Sequence, residues 1–135
     1  MNMKKPTFRF LAIRHYQVFD ERDWQPALNM YETDQAVIIV AELAGIDPAD
    51  LTLEVEANMV RIQGQRQPNA PEDLRRIHRM EMGFGHFAVE VILPTLIDPT
   101  RAESRYRNGL LEILLPLAKQ PARRIAIASV EGVRE

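Results

Sequence analysis

The chain of 135 residues carries 17 Lys and Arg against 19 Asp and Glu, a formal net charge of −2, with 46% of its residues hydrophobic. Charge this close to balance excludes a broad attraction to nucleic acid or anionic lipid, and the length suits one domain with short extensions. Cysteine is absent, which excludes a disulfide framework, a thiolate metal site and a cysteine nucleophile, and fits the cytoplasmic location expected for the chain.

Residues 1–23 form an N-terminal arm rich in aromatics: Phe8, Phe10, Tyr16 and Phe19. Lys4, Lys5, Arg9 and Arg14 interrupt its apolar residues, so no cleavable signal peptide is expected. No stretch reaches the ~18 apolar residues of a spanning helix. Read as a helix, the arm sets Phe8, Leu11, His15, Val18 and Phe19 on one face. A partner-binding arm accounts for that face as economically as a membrane-surface helix does.

From Trp24 the period changes to two. Ala36 to Glu42 reads AVIIVAE, apolar on both faces, as in a covered strand. Leu51, Leu53, Val55 and Ala57 alternate with Thr52, Glu54 and Glu56, the pattern of a half-buried strand. A turn at Asn58-Met59 and a second strand through Val60 and Ile62 predict a hairpin. Gly64 opens a loop carrying Pro68, Asn69 and Pro71. Its arginines, at 66, 75, 76 and 79, are interleaved with Glu72, Asp73 and Glu81, which favours a solvated, ion-paired loop over a phosphate-binding patch.

Phe87, Val89, Val91 and Leu93 define a further strand that stops at Pro94. Asp98-Pro99 makes a turn, Asn108-Gly109 is a two-residue hairpin signal, and Leu110 to Leu115 is a strand apolar on both faces. Short strands separated by turns, with no long helix between them, indicate an antiparallel sandwich or barrel. After Pro116 the pattern lapses until Ile125-Ala126-Ile127, where two large side chains share one face of an extended tripeptide. Position alone leaves two readings equal: an edge strand folding back on its own sheet, or a tail that adds to another subunit.

The sequence offers an enzyme little. The two serines, Ser104 and Ser129, sit in no nucleophile elbow. His78, Glu81 and His86 have no zinc-motif spacing, and Glu54 with Glu56 reads as a solvated face. Gly83-Phe84-Gly85 lacks the strand-to-helix setting of a phosphate loop. No catalytic residue, cofactor or metal ligand is predicted.

Trp24 to Ile127 resembles the α-crystallin domain of small heat-shock proteins of the bacterial and plant type. The resemblance is carried by Trp24-Gln25-Pro26, Tyr31-Glu32-Thr33-Asp34, Ala41-Glu42-Leu43-Ala44-Gly45-Ile46 and Gly64-Gln65-Arg66. Glu81, Phe84, Gly85 and Phe87, then Leu93-Pro94, Tyr106-Arg107-Asn108-Gly109-Leu110-Leu111 and Ile125-Ala126-Ile127 complete it. The chain departs from the family at Val89, usually arginine, and at Ala44, Ser104 and Leu117, usually proline, alanine and lysine.

The resemblance implies an all-β, immunoglobulin-like antiparallel sandwich over 24–117, with the arm at 1–23 and a C-terminal extension over 118–135. It implies an ATP-independent holdase that binds unfolding client proteins and assembles as homodimers and larger oligomers. A short strand near Leu74–Arg79, in the loop that holds Leu74, Arg76, Arg79 and Glu81, is expected to pair with a partner's sandwich. Ile125 and Ile127 are expected to dock in a neighbour's groove, between the strand of Leu53 and Val55 and the strand around Glu103–Arg107. Phe8, Phe10, Tyr16 and Phe19 are expected to hold clients. The related sandwich of CS-type co-chaperone adaptors is the alternative. It lacks the long loop and the Ile-x-Ile tail.

Overall fold

Alternation along each strand decides what is buried, and the computed structural model, which describes residues 24–119 and 123–130, has seven strands that follow it. They are β1 (Leu28–Glu32), β2 (Ala36–Glu42), β3 (Thr52–Glu56), β4 (Met59–Arg66), β5 (Gly85–Ile92), β6 (Glu103–Arg107) and β7 (Leu110–Pro116). Two antiparallel sheets result, one in the order β1-β2-β7-β6 and one in the order β3-β4-β5. The fold is the all-β sandwich expected.

β2 and β7 lie side by side in the middle of the larger sheet, but they are not covered on both faces as their sequences suggested: Ile38 and Val40 are half-buried and Leu114 is exposed on the outer side. Val37, Ile39 and Ala41 stand opposite Leu115, Ile113 and Leu111, and all six are buried. Val60 and Ile62 of β4, Phe87 and Val91 of β5, and Leu43 and Ile97 between strands close the core from the other sheet. Each such side chain stabilises the fold by roughly 1.5–3 kcal/mol through burial. Val89 sits opposite Ile62, half-buried against this core.

Three boundaries differ from the sequence reading. β4 does not end at Gly64 but runs to Arg66, because Gly64, Gln65 and Arg66 still pair with Phe87, His86 and Gly85. The first hairpin turns at Ala57-Asn58, and Met59 already belongs to β4 opposite Glu56. β1 is a separate strand that the sequence did not announce. The Asn108-Gly109 turn is as expected: both residues have positive φ, 55° and 78°, as a two-residue turn matched to strand twist requires. A Cβ on Gly109 would lie 3.0 Å from the Cβ of Ala44, so the hairpin tip rests directly on the segment leaving β2. Leu43 N–H donates to the Gly109 carbonyl at 2.8 Å, and the Tyr106 hydroxyl donates to the Leu43 carbonyl at 2.7 Å.

Candidate functional site

No strand forms between Arg66 and Gly85 within the chain, so what fixes this long segment is its root. Arg66 is buried there. Its Nε donates to the Gly83 carbonyl at 2.9 Å and its Nη1 to the Ala44 carbonyl at 3.1 Å. The guanidinium lies 4.1 Å from the centre of the Trp24 ring, a cation–π contact. Trp24 in turn donates its indole N–H to the Gly85 carbonyl at 3.1 Å and meets Phe87 edge-on at 5.6 Å. A Cβ on Gly83 would come within 2.5 Å of Trp24 Cε3. Gly83, the first glycine in Gly83-Phe84-Gly85, is therefore a packing necessity under an indole.

Between its roots the segment lines a cleft of about 690 Å³, and Leu74, Arg76, Arg79 and Glu81 all contribute to its wall. Leu74 is half-buried, and the three charged residues are exposed. Arg79 and Glu81 pair at 3.4 Å in solvent, a contact too exposed to hold the segment. The structure thus brings the four predicted loop residues to one place.

The same root orients the sheets. Trp24 precedes β1 and touches Phe87 and Gly85 of β5, so it ties the approach to one sheet to the edge strand of the other. β3 and β6 are also edge strands, one in each sheet. Neither has a second strand beside it. Leu53 and Val55 point into the sandwich, half-buried against the core, and Tyr106 does so from β6. Glu54 and Glu56 point away from it, both exposed. On the outer face of β6, Arg105 Nε donates to Glu112 at 2.8 Å, and this hydrogen bond holds the Glu112 carboxyl below its usual range.

Ile125 and Ile127 are 71% and 96% exposed and belong to no strand. The reading in which they form a final edge strand on their own sheet is therefore not what the chain adopts. Phe8, Phe10, Tyr16 and Phe19 lie outside the described residues. What sequence reasoning missed is the set Trp24, Arg66 and Gly83. Each fell inside a quoted motif, but the signal that joins them is contact across the fold.

The Hsp20/alpha crystallin family matches residues 29–128 of the chain. Small heat shock protein C2 of Rickettsia felis is 28% identical over 78% of this chain and 68% of its own length. Spore protein SP21 of Stigmatella aurantiaca is 32% identical over 77% of this chain and 62% of its own. The matched stretch thus spans about two thirds of these relatives. Among solved structures, a small heat-shock protein from Xylella fastidiosa superposes with a TM-score of 0.65 at 27% identity, covering 78% of this chain and 98% of that one. Heat shock protein 16.0 from Schizosaccharomyces pombe gives 0.62 at 26%, covering 78% and 100%. The sandwich, the rooted loop and a family match that runs from β1 past Ile127 lead to one statement: the chain belongs to the Hsp20/alpha crystallin family of small heat-shock proteins.

Proposed function

We propose that this protein is an ATP-independent holdase, which binds unfolding proteins in the cytoplasm and keeps them from aggregating. One observation carries the reading: a single chain leaves complementary apolar surface uncovered at two places. Ile125 and Ile127 stand in solvent, and Leu53 and Val55 lie half-buried at an unpaired edge. Ile125 and Ile127 of one copy fill the β3–β6 groove of another. The loop through Leu74, Arg76, Arg79 and Glu81 pairs with a partner's sheet edge to make a dimer, since exchange of strands hides exposed edges. The organisation is an arm over 1–23, a sandwich over 24–117 and an extension over 118–135, with the arm's Phe8, Phe10, Tyr16 and Phe19 taking part in client capture.

Assembly covers this apolar surface at rest, and release uncovers it, so client binding is coupled to subunit exchange by mass action. The test is light scattering from a heat-unfolded client protein. Equimolar chaperone, without nucleotide, suppresses the scattering, and added ATP changes nothing. Unchanged scattering at several-fold excess, or protection that requires ATP, overturns the reading.

A further inference from the structure

Unpaired charges around the groove decide which way the tail runs and which sheet edge it joins; this deepens the tail-docking reading above and rests on it. β3 pairs only with β4, so its other edge is a row of free N–H and C=O groups. In a segment added to that edge, residues opposite one another share a face. With Ile125 and Ile127 opposite Leu53 and Val55, facing the core, Arg124, Ala126 and Ala128 fall on the solvent face beside Thr52, Glu54 and Glu56. Two alignments achieve this. A parallel tail sets Ile125 opposite Leu53 and Arg124 opposite Thr52. An antiparallel tail sets Ile125 opposite Val55, Ile127 opposite Leu53 and Arg124 opposite Glu56. Ala126 meets Glu54 in both.

Charge separates the two. Arg61 stands opposite Glu54 across the sheet, but its Nη1 is bonded to Glu90 at 2.6 Å. Among the described residues, that leaves Glu54 and Glu56 without a cationic partner, and Arg123 and Arg124 without an anionic one. The β6 edge is different: Arg105 is held by Glu112, and with Glu103 and Arg107 the four charges there sum to zero. Of the two edges, β3 is the one with a net negative charge, and the antiparallel alignment is the one that sets Arg124 directly opposite a glutamate of it. The geometry points to a tail that joins β3 of a second copy of this chain as an antiparallel strand, with Arg124 opposite Glu56. Such a pair is exposed, so it changes docking by about two- to five-fold and acts mainly on direction.

Because the chain has no cysteine, paired cysteines in the full-length assembly read the alignment. Opposed Cα atoms in an antiparallel pair lie ~4.5–5.5 Å apart, within disulfide range. Thr52→Cys with Ala128→Cys are opposed only if the tail is antiparallel. In the parallel alignment they sit four residues out of register, ~13 Å apart. Glu54→Cys with Ala126→Cys are opposed either way. We expect mild oxidation to give intermolecular bands with both pairs. Bands from the second pair alone mean a parallel tail and overturn the inference while leaving tail docking intact. Bands from neither pair overturn tail docking itself. An intrachain product overturns the second copy as occupant. In the Thr52→Cys/Ala128→Cys background, Arg124→Glu lowers the cross-linking yield about two- to five-fold and Glu56→Arg restores it. An unchanged yield overturns the charge pair.

Discussion

Among the described residues Arg66 is the one buried charged side chain, and its guanidinium is bound from three directions by two carbonyls and a ring. Removing it leaves the Gly83 and Ala44 carbonyls without their donors and the indole without a neighbour. Arg66→Ala is expected to lower stability by roughly 2–4 kcal/mol, read from the urea midpoint of the circular dichroism signal. Arg66→Lys recovers less than half of that, because one ammonium cannot serve two diverging carbonyls as a planar fork does. The partners lie 17 and 22 residues from Arg66. The sequence therefore showed a motif at Gly64-Gln65-Arg66 without its purpose, whereas Glu54 and Glu56 were readable as a solvated pair because alternation alone assigns their face.

Asp98 supplies a second residue-scale expectation. It caps the short 3-10 turn Pro99–Arg101, accepting from Thr100 N–H at 3.0 Å, Thr100 Oγ1 at 2.6 Å and Arg101 Nε at 3.0 Å. The Thr100 side-chain hydrogen bond, followed by the Arg101 bond, holds its carboxyl below the ordinary aspartate range. A folded pKa below the unfolded one means that the stabilisation is complete above the unfolded value. It is lost as pH falls through the depressed folded value. Asp98→Asn is thus expected to flatten the acid limb of the melting profile and to leave its neutral region nearly parallel to that of the parent. Thermal melts stepped downward from neutral pH check this. A limb of unchanged steepness shows that the cap does not titrate with folding.

At the scale of elements, legibility followed position in the sheets. β2 and β7 are the central strands and carry the most apolar runs, so they were unambiguous as strands although their outer faces are only partly covered. β3 and β5 each turn one face to solvent and alternated accordingly. β1 escaped notice because it is an edge strand with only Leu28 half-buried. An edge strand is fixed by hydrogen bonds to its neighbour, and those leave no trace in hydropathy. β4 was cut short because Gly64 reads as a breaker when its strand partners are unknown. The segment from 67 to 84 is longer than a connection between neighbouring strands needs, and long ordered connections usually carry a function. Replacing residues 68–82 by a tight turn is expected to give a folded monomer with unchanged β-type circular dichroism. Sedimentation of that variant as a dimer at low micromolar concentration shows that the loop does not join subunits.

For the whole molecule the governing quantity is how many weak links act together. On the proposed docking, burying the two isoleucines would stabilise the contact by roughly 3–6 kcal/mol before the entropy of ordering the tail is subtracted. One such link has a dissociation constant between several millimolar and tens of micromolar. Several such links in one assembly would raise one another's effective concentration and give a stable particle whose subunits still exchange. Ile125→Ala with Ile127→Ala is therefore expected to reduce the mass measured by light scattering to that of dimers, with a melting temperature close to the parent's. Full mass in the double variant removes these residues from assembly.

The indole of Trp24 has a further use as an optical reporter. It is the only tryptophan in the chain, and it lies between Arg66 and Phe87 at the root of the loop. Its emission therefore comes from one defined place in every subunit, with no labelling. A red shift on heating that precedes any fall in mass would mean that the loop roots open before the particle comes apart. A fall in mass at constant emission wavelength would mean that subunits leave with their roots intact. Fluorescence recorded alongside scattering in one heating ramp thus orders the two events in time.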